Sequence, residues 1–245
     1  MDGSMLLKTM LFRGMDERLA DQREDFYNML LKTMLFRGMD EAELGAALEG
    51  LQAAEKAYAK GEFILRAGSP TQRLGLVLEG GATVESNDAW GSRTVLSHIG
   101  PGQLFAETYA LLEGEPMLVD VTASANCRIL FLRTGSLQEL TAARSAWAAK
   151  LAANLLSICA HKNLALSRRS FHTAPKSARG RIMAYLSTIS LQKGAGEFDI
   201  PFDRQQLADY LNLERTALSK ELGKMQRDGL IEVKKSRFRL FFAPE

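Results

Sequence analysis

The middle of the chain alternates short apolar runs with turn residues. The apolar runs occupy residues 63–65, 74–78, 82–85, 93–99, 119–123 and 127–132. Turn signals such as Gly80-Gly81 and Gly100-Pro101-Gly102 separate them. Many short strands at spacings of about ten residues are typical of a β-sandwich or barrel. The stretch 105–112 breaks the alternation and predicts a short helix.

A long helix is predicted after these strands, because residues 136–171 contain no proline or glycine. One row of this helix holds Leu151, Leu155, Ile158, Lys162 and Ala165. About 30 residues make a helix of about 45 Å, which is longer than one small domain covers. A core helix within one chain is one interpretation. We favour a coiled coil between two subunits, with Lys162 as its polar interruption.

The last part of the chain, 173–245, alternates helices with short strands after a linker at Pro175. The predicted elements are a helix capped by Ser177 that runs to residue 190, a strand at 198–202, helices at 204–211 and 214–228, and a hairpin of 230–233 with 237–241. Asp203 is a favourable N-cap for the first helix of the central pair, and Gly229 ends the second.

The central pair has the spacing of a helix-turn-helix. Its shared apolar positions are Leu207, Ala208, Leu211, Leu213, Leu218 and Leu222. Ala208 is small where the second helix crosses, and Asn212 tolerates the positive φ of a tight turn. The alternative is a plain helical hairpin with a solvated face.

Polar and basic residues on this pair predict a nucleic-acid interface. The outward face of the second helix presents Arg215, Thr216, Ser219, Lys220 and Lys224. An α-helix fits the major groove, where Arg and Lys can reach guanine O6 and N7. Arg204 and Gln205 begin the first helix, where side chains and amides can meet phosphates. Lys235 lies at the tip of the basic hairpin, which favours double-stranded DNA as the partner.

The N-terminus contains a perfect repeat. Residues 5–17 and 29–41 are the same thirteen residues, MLLKTMLFRGMDE, at an offset of 24. Structural repeat families diverge and need several copies, so two origins are considered, a recent tandem duplication of a single segment and an artefact at the start of the gene. The second copy runs directly into a helical pattern and is predicted to start the native domain. Residues 1–28 are predicted to be an extension.

Composition and charge limit the class of protein. The 245 residues are 46% apolar and 24% charged, which is an ordinary globular balance. Two cysteines exclude a disulfide scaffold and a four-cysteine metal site within one chain, and they fit a reducing cytoplasm. No membrane-spanning run or secretion signal is recognised. Residues 173–245 carry 13 Lys/Arg against 9 Asp/Glu, whereas 42–133 carry 7 against 11, so the C-terminal part favours a polyanion.

Residues 34–245 resemble the CRP/FNR family of bacterial transcription regulators. The motifs that carry the resemblance are GEFILRAG at 61–68, LEGGATV at 78–84, PGQLFAE at 101–107 and FDRQQLADYLNLERTALSKEL at 202–222. It implies an α+β chain with a jelly-roll effector domain at 29–135, a dimerisation helix and hinge at 136–172, and a winged helix-turn-helix at 173–245. It also implies a homodimer on a pseudo-palindromic operator, with RNA polymerase as a partner of an activator. Family members read bases with residues at the positions of Arg215, Thr216, Ser219 and Lys220.

The effector prediction rests on two departures from the family. Its cyclic-nucleotide binders carry Gly-Glu on the short helix and Arg-Ser ten residues after that Glu. Here Ala106-Glu107 is followed by Met117 and Leu118. A phosphate would meet a thioether and an isobutyl group in place of a guanidinium, so cyclic AMP is not expected. Arg66, Arg73 and Arg93 are the other sources of positive charge.

The remaining side chains at this locus suit a small, partly apolar ligand with one polar handle. The candidates, expected to face the long helix, are Phe105, Glu107, Tyr109, Met117, Leu118 and Val119. Family members with such a mix sense small organic molecules, including halogenated aromatics. Two alternatives stay open, a regulator without a ligand and a dimeric ligand-binding module whose winged domain contacts protein. No other cofactor is expected. The lone histidines His98, His161 and His172 do not favour haem ligation. Residues 1–56 lack the cysteines of the oxygen-sensing branch of the family. No catalytic motif occurs, so an enzyme is not expected.

Overall fold

The structure is a computed structural model that describes residues 18–87, 93–112, 114–135 and 145–241. It divides into two compact units, Met1–Ala160 and His161–Glu245. The helices are α1 (Arg18–Leu31), α2 (Glu41–Gly50), α3 (Glu107–Leu111), α4 (Ala146–Thr173), α5 (Ala178–Lys193), α6 (Arg204–Tyr210) and α7 (Arg215–Arg227). No helix among the described residues is both long enough and apolar enough to cross a bilayer.

The first unit is built on two four-stranded antiparallel sheets. Its strands are β1 (Ala54–Tyr58), β2 (Phe63–Leu65), β3 (Arg73–Glu79), β4 (Ala82–Asn87), β5 (Arg93–Ile99), β6 (Leu104–Phe105), β7 (Asp120–Ala123) and β8 (Cys127–Arg133). One sheet has the order β1-β8-β3-β6 and the other β2-β7-β4-β5. Val77 and Ile129 of the first sheet pack with Ala82 and Val121 of the second to form the core between them. The predicted jelly-roll domain is confirmed.

The other face of the first sheet packs against helices. Alternate residues of β3, Leu74 and Leu76, share a second core with Leu48 of α2 and Leu151 of α4. Period-two alternation places Leu74 and Leu76 opposite Val77, so this sheet is buried on both faces. This arrangement explains why β3 reads as a continuous apolar run.

The second copy of the repeat is part of this core. Leu30, Leu35 and Phe36 are at most 1% exposed, and Met39 is 8% exposed. Asp40 then begins α2 with a capping box, because its side chain accepts from the Glu43 amide and the Glu43 carboxylate accepts from the Asp40 amide. The first copy, 5–17, lies outside the described residues.

The predicted boundary between 28 and 29 falls inside α1. Phe26 and Tyr27 pack against the same core as Leu30. The packed domain therefore begins upstream of Met29, because one helix carries contacts on both sides of the boundary.

Two strands of this unit escaped prediction. The edge strand β1 has exposed residues over most of its length, so it lacks the apolar run that marks the others. β6 was missed because its second residue, Phe105, was predicted to begin a helix that runs to residue 112. Phe105 is in a strand because it pairs with Gly75, whose missing side chain leaves room for the Phe105 ring. The helix starts two residues later, at Glu107.

The long helix is confirmed from Ala146 to Thr173, and residues 136–144 of its predicted range lie outside the described residues. The prediction that the row from Leu151 to Ala165 packs against a second subunit is wrong for the first three residues of the row. Leu151, Leu155 and Ile158 are at most 7% exposed because they pack against the first unit's own core. The same spacing serves an intrachain face.

The second unit combines helices α5 to α7 with a three-stranded antiparallel sheet. Its strands are β9 (Glu197–Asp199), β10 (Ile231–Lys234) and β11 (Arg237–Leu240), in the order β10-β11-β9. The strand predicted at 198–202 ends at Asp199, because only 197–199 pair with β11. Ser177 caps α5 as predicted, with its hydroxyl accepting from the Gly180 amide. Phe198, Leu207, Leu218 and Phe238 lie in one core and confirm the winged helix-turn-helix.

Candidate nucleic-acid interface and effector locus

The turn between α6 and α7 has the geometry that the sequence predicts. Asp203 and Gln206 form a capping box at the start of α6. At its end Asn212 has φ 51°, and its amide donates to Asp209 O at 3.3 Å. The Leu213 amide donates to Ala208 O at 2.9 Å. These two bonds form a Schellman motif, which closes α6 and sends the chain into α7.

Helix α7 has a buried face and a free face. Leu218, Leu222 and Met225 are at most 2% exposed and fix the helix in the core of the winged unit. The predicted base-reading and phosphate-contacting side chains of this helix are all exposed, namely Arg215, Thr216, Ser219, Lys220 and Lys224. Lys224 Nζ is 4.0 Å from Oε2 of Glu221, whose side chain is largely buried. A helix with this division presents polar donors and positive charge along one surface.

Two arginines of α5 support this helix pair and were missed by the sequence reasoning. Arg179 Nε donates to Glu221 Oε1 at 2.7 Å, and its Nη2 lies 2.7 Å from Asp228 Oδ2. These carboxylates raise the pKa of Arg179. Arg181 Nη1 donates to Leu211 O at 3.2 Å and to Asn212 O at 2.8 Å. No sequence motif announces such contacts, because they join positions 30 to 49 residues apart.

The predicted phosphate-contacting residues of α6 are placed differently from one another. Arg204 is half-buried, with its guanidinium 5.4 Å from the centroid of the Phe238 ring, and burial lowers its pKa. Gln205 is exposed, and its Nε2 donates to Asp209 Oδ1 at 2.8 Å. Arg204 therefore already packs on the β-sheet of the unit, whereas Gln205 faces solvent at the start of the helix.

The hairpin forms the predicted basic wing. β10 and β11 pair with Lys234 opposite Arg237, and Lys235 occupies the turn with φ 56°. Lys234, Lys235 and Arg237 are exposed. Arg237 Nε donates to Glu197 Oε1 at 2.7 Å in an exposed pair. Lys235 is therefore a charge at the extreme tip of the wing.

At the effector locus, α3 begins with a strained residue. Ala106 has φ 60°, a left-handed conformation that favours glycine. Glu107 follows it and is 5% exposed. Tyr109 lies two residues further, and its hydroxyl accepts from the Leu118 amide at 3.3 Å. This contact brings the short helix and the segment before β7 together.

Met117, ten residues after Glu107, is 2% exposed. Its amide donates to Ser69 O at 3.1 Å, and its carbonyl accepts from the Gly68 amide at 2.7 Å. Its side chain packs in the core between the two sheets. The next residue, Leu118, is 78% exposed. The thioether is therefore built into the core, and the isobutyl group faces solvent.

The expectation that the six candidates face the long helix is wrong for Phe105 and Met117. Both belong to the core between the sheets, and Tyr109 and Val119 pack against that core. Leu104, Ala110 and Leu111 are the neighbours that pack with α4. The reason is strand alternation, since Leu104 and Phe105 point to opposite faces of the sheet.

The three other arginines weighed for this locus lie at or next to the ends of strands. Arg66 is exposed with its guanidinium 4.0 Å from the centroid of the Phe63 ring. Arg73 begins β3 opposite Arg133 of β8, and Arg93 begins β5.

Two domain models match this chain. The cyclic nucleotide-binding domain matches residues 55–144, and the Crp-like helix-turn-helix domain matches residues 180–241. The chain belongs to the CRP/FNR family of transcription regulators. No curated protein matches it.

Two solved structures with a TM-score above 0.5 share the fold of this chain. The c-di-GMP responsive global regulator CLP of Xanthomonas campestris is 20% identical with a TM-score of 0.56, over 83% of this chain and 100% of its own. CprK in complex with OCPA is 17% identical with a TM-score of 0.56, over 80% and 91% of the two chains. The Thermus thermophilus catabolite activator protein is 25% identical over 85% and 94%, with a TM-score of 0.46.

Proposed function

We propose that this CRP/FNR regulator is a homodimer that binds double-stranded DNA in a sequence-specific manner. The observation that carries the proposal is the free face of α7. Its polar and basic residues are exposed while Leu218 and Leu222 anchor the opposite face. A helix held in this way enters the major groove as a rigid reader.

The proposed contacts divide by chemistry. Arg215 and Lys220 read guanine O6 and N7, and Thr216 and Ser219 supply shorter donors and acceptors to base edges. Gln205 and the half-buried Arg204, at the start of α6, approach the DNA backbone. Lys224 of α7 and Lys235 of the wing neutralise DNA phosphates on the two sides of the base contacts. Base contacts carry the specificity, and phosphate contacts carry affinity that depends on salt.

A face of α4 supports the dimer. Leu156, Leu164 and Phe171 are 73%, 49% and 74% exposed and recur at intervals of eight and seven residues. This interval keeps them along one side of the helix, away from the buried Leu151 and Leu155. Two copies joined on this side form a C2 dimer, whose operator is pseudo-palindromic with half-sites about 34 Å apart. An activator of this kind also contacts RNA polymerase in the cytoplasm.

The salt dependence of duplex binding tests the DNA proposal. Fluorescence anisotropy with a labelled duplex at several salt concentrations should give a steep fall of affinity, with one counterion released for each phosphate contact. A single-stranded oligonucleotide of the same length is the control. Equal binding of both would contradict duplex recognition, and binding of neither would leave the winged unit as a protein-binding module.

We propose that the effector is a small molecule other than cyclic AMP. The support is Met117, a buried thioether where a phosphate would need a guanidinium. The neighbours with this fold include one that is c-di-GMP responsive and one in complex with OCPA, so the fold itself is compatible with different ligands. Among the six candidates, Tyr109 and Glu107 supply the polar groups.

A regulator without a ligand is the second candidate. The core packing of Phe105 and Met117, each 2% exposed, favours it. Melting temperature and DNA affinity should both be measured with millimolar cyclic AMP and with a chlorophenol. We expect no change with cyclic AMP. A shift with chlorophenol supports a small organic effector, whereas a shift with cyclic AMP contradicts the argument from Met117.

A further inference from the structure

The end of α4 makes direct contacts with the helix-turn-helix, and these contacts lie within the second unit. Arg169 and His172 are three residues apart, so they share one side of the last turn of α4. Both reach Tyr210, the last residue of α6. The contact therefore joins the end of the long helix to the turn that leads into α7.

Arg169 binds the end of α6 through several atoms. Its Nε donates to Tyr210 O at 3.0 Å, and its Nη2 donates to Asp209 O at 2.9 Å and to Asn212 Oδ1 at 3.1 Å. Its guanidinium also lies 5.7 Å from the centroid of the Tyr210 ring. The last carbonyls of a helix lack intrahelical partners and carry partial negative charge. A guanidinium supplies both the hydrogen-bond donors that these carbonyls lack and a positive charge opposite their partial negative charge.

Arg181 of α5 completes this set. Since it binds Leu211 O and Asn212 O, the four consecutive carbonyls 209–212 all accept from a guanidinium. Arg169 holds the first two and Arg181 the last two. The turn is thus held by arginines from two helices, Arg169 of α4 and Arg181 of α5. Only Arg169 connects it to the long helix.

His172 holds the same residue through an aromatic cluster. It is 3% exposed, and its Nδ1 is 2.9 Å from Tyr210 Oη. Its ring is 5.4 Å from Tyr185 and 5.8 Å from Tyr210 between centroids, and Phe202 stacks 5.0 Å from Tyr210. The imidazole is therefore buried against the rings of Tyr185 in α5 and Tyr210 in α6, and Phe202 extends the cluster behind them.

We propose that Arg169 and His172 are positioning residues that clamp the helix-turn-helix to the dimerisation helix, and that a proton on His172 loosens the clamp. The inference rests on the proposed DNA binding, because its consequence is the placement of α7. With the clamp closed, the two recognition helices of a dimer are held at a defined separation. With it open, each winged unit is free to reorient, and binding pays the entropy of ordering it.

The charges around His172 favour its neutral form. The described groups that face it are Arg168 and Arg169 on its own helix, Tyr185 of α5 and Tyr210 of α6. The Asp209 carboxylate beside Tyr210 accepts from Gln205. Burial raises the pKa of both tyrosines, so their hydroxyls stay neutral. An imidazolium at this buried position would lose its hydration and be repelled by the charge of Arg168.

The direction of the pH effect follows from these surroundings. Burial, and then Arg168, lower the pKa of His172 from its ordinary 6.5. The open or unfolded state then binds the proton more tightly than the closed clamp. The contribution of the clamp is complete above pH 6.5 and is lost as the pH falls through the lower value of the folded state.

The test compares matched pairs of variants in DNA affinity against pH. A duplex selected from random-sequence DNA is titrated with wild type, His172→Gln and His98→Gln between about pH 8 and pH 5.5 at constant ionic strength. Gln keeps a hydrogen-bonding group for Tyr210 but does not titrate, and His98 is an exposed control. We expect wild type and His98→Gln to lose about tenfold in affinity at the acid end, and His172→Gln to lose almost none. The proposal is overturned if His172→Gln keeps the acid loss or wild type shows none.

The neighbouring arginines provide the second pair. At about pH 8, Arg169→Ala should weaken DNA binding by about tenfold, whereas Arg168→Ala, at an exposed position, should weaken it by less than about threefold. Equal losses in the two variants would contradict the clamp.

Hydrogen exchange without DNA separates this inference from the proposed function. Protection of the 211–213 amides, corrected for intrinsic rates, should fall in Arg169→Ala and, in wild type, at acid pH. If the protein binds no DNA but protection falls as expected, the clamp stands and the DNA proposal fails. Unchanged protection in both cases would refute the clamp.

Discussion

The winged unit and the effector locus differ in where their functional side chains come from. The proposed DNA-reading residues of α7 and the wing lie within 215–235 and are exposed on elements whose cores are separate from them. The effector candidates are drawn from β6, α3 and the segment before β7, and two of them are core residues. A surface function on one helix can be changed without cost to folding. A buried locus must serve packing first.

The two regions also differ in how well the residue at a left-handed backbone position tolerates that conformation. Asn212 adopts its positive φ with a side chain that tolerates this region, and Arg169 binds its amide oxygen. Ala106 adopts φ 60°, where its Cβ meets a clash that glycine avoids. The turn of the winged unit is therefore relaxed, and the entry to α3 carries strain.

The largest expected effect is on the stability of the first unit. Phe36→Ala removes a ring that is 0% exposed and should lower the free energy of unfolding by about 3–5 kcal/mol. Phe12→Ala changes the same residue of the identical first copy, and we expect a much smaller effect, because the described core is built from the second copy. Urea denaturation of both variants measures the difference. Equal losses would show that both copies are structural.

The second prediction concerns substitutions that change the affinity for DNA and leave the stability of the protein unchanged. Arg215→Ala and Lys220→Ala should each weaken binding to a selected operator by about 1–3 kcal/mol and relax the base preference at one position. Their melting temperatures should match wild type, because both side chains are exposed. Lys60→Ala, an exposed lysine of the first unit, is the control. A large fall in melting temperature would contradict the separation of function from packing in the winged unit.

The third prediction concerns the strain at Ala106. Ala106→Gly should raise the free energy of unfolding by about 1 kcal/mol, because glycine adopts a left-handed conformation without the Cβ clash. Gly61 has φ 89° with nothing within 4 Å of an added Cβ, so Gly61→Ala should destabilise by about the same amount. Both are measured by chemical denaturation. Loss of stability in Ala106→Gly would mean that the Ala106 methyl group contributes packing that outweighs the strain.

The smallest effect is expected at the wing. Lys235→Ala should weaken binding to specific and random duplexes alike, by about 1 kcal/mol or less, and reduce the salt slope by about one. Anisotropy titrations at several salt concentrations give both quantities. A change of base preference instead would move Lys235 from backbone contacts to base reading.

The sequence predicted what depends on local spacing. The helix-turn-helix, the capping residue Asp203 and the positive φ of Asn212 follow from residues within one or two helical turns. The contacts that fix this unit, such as Arg181 on the turn and His172 on Tyr210, join distant segments and leave no periodic signal. The same limit explains the mistaken dimer row on α4, because a heptad spacing does not reveal which surface covers it.

Selection of bound sequences from a random duplex pool tests the central claim most directly. The account predicts enrichment of an inverted repeat with half-site centres about one helical turn, ~34 Å, apart, and loss of preference at one base position per half-site in Arg215→Ala. No enrichment, or enrichment of a sequence without inverted symmetry that Arg215→Ala leaves unchanged, would contradict it.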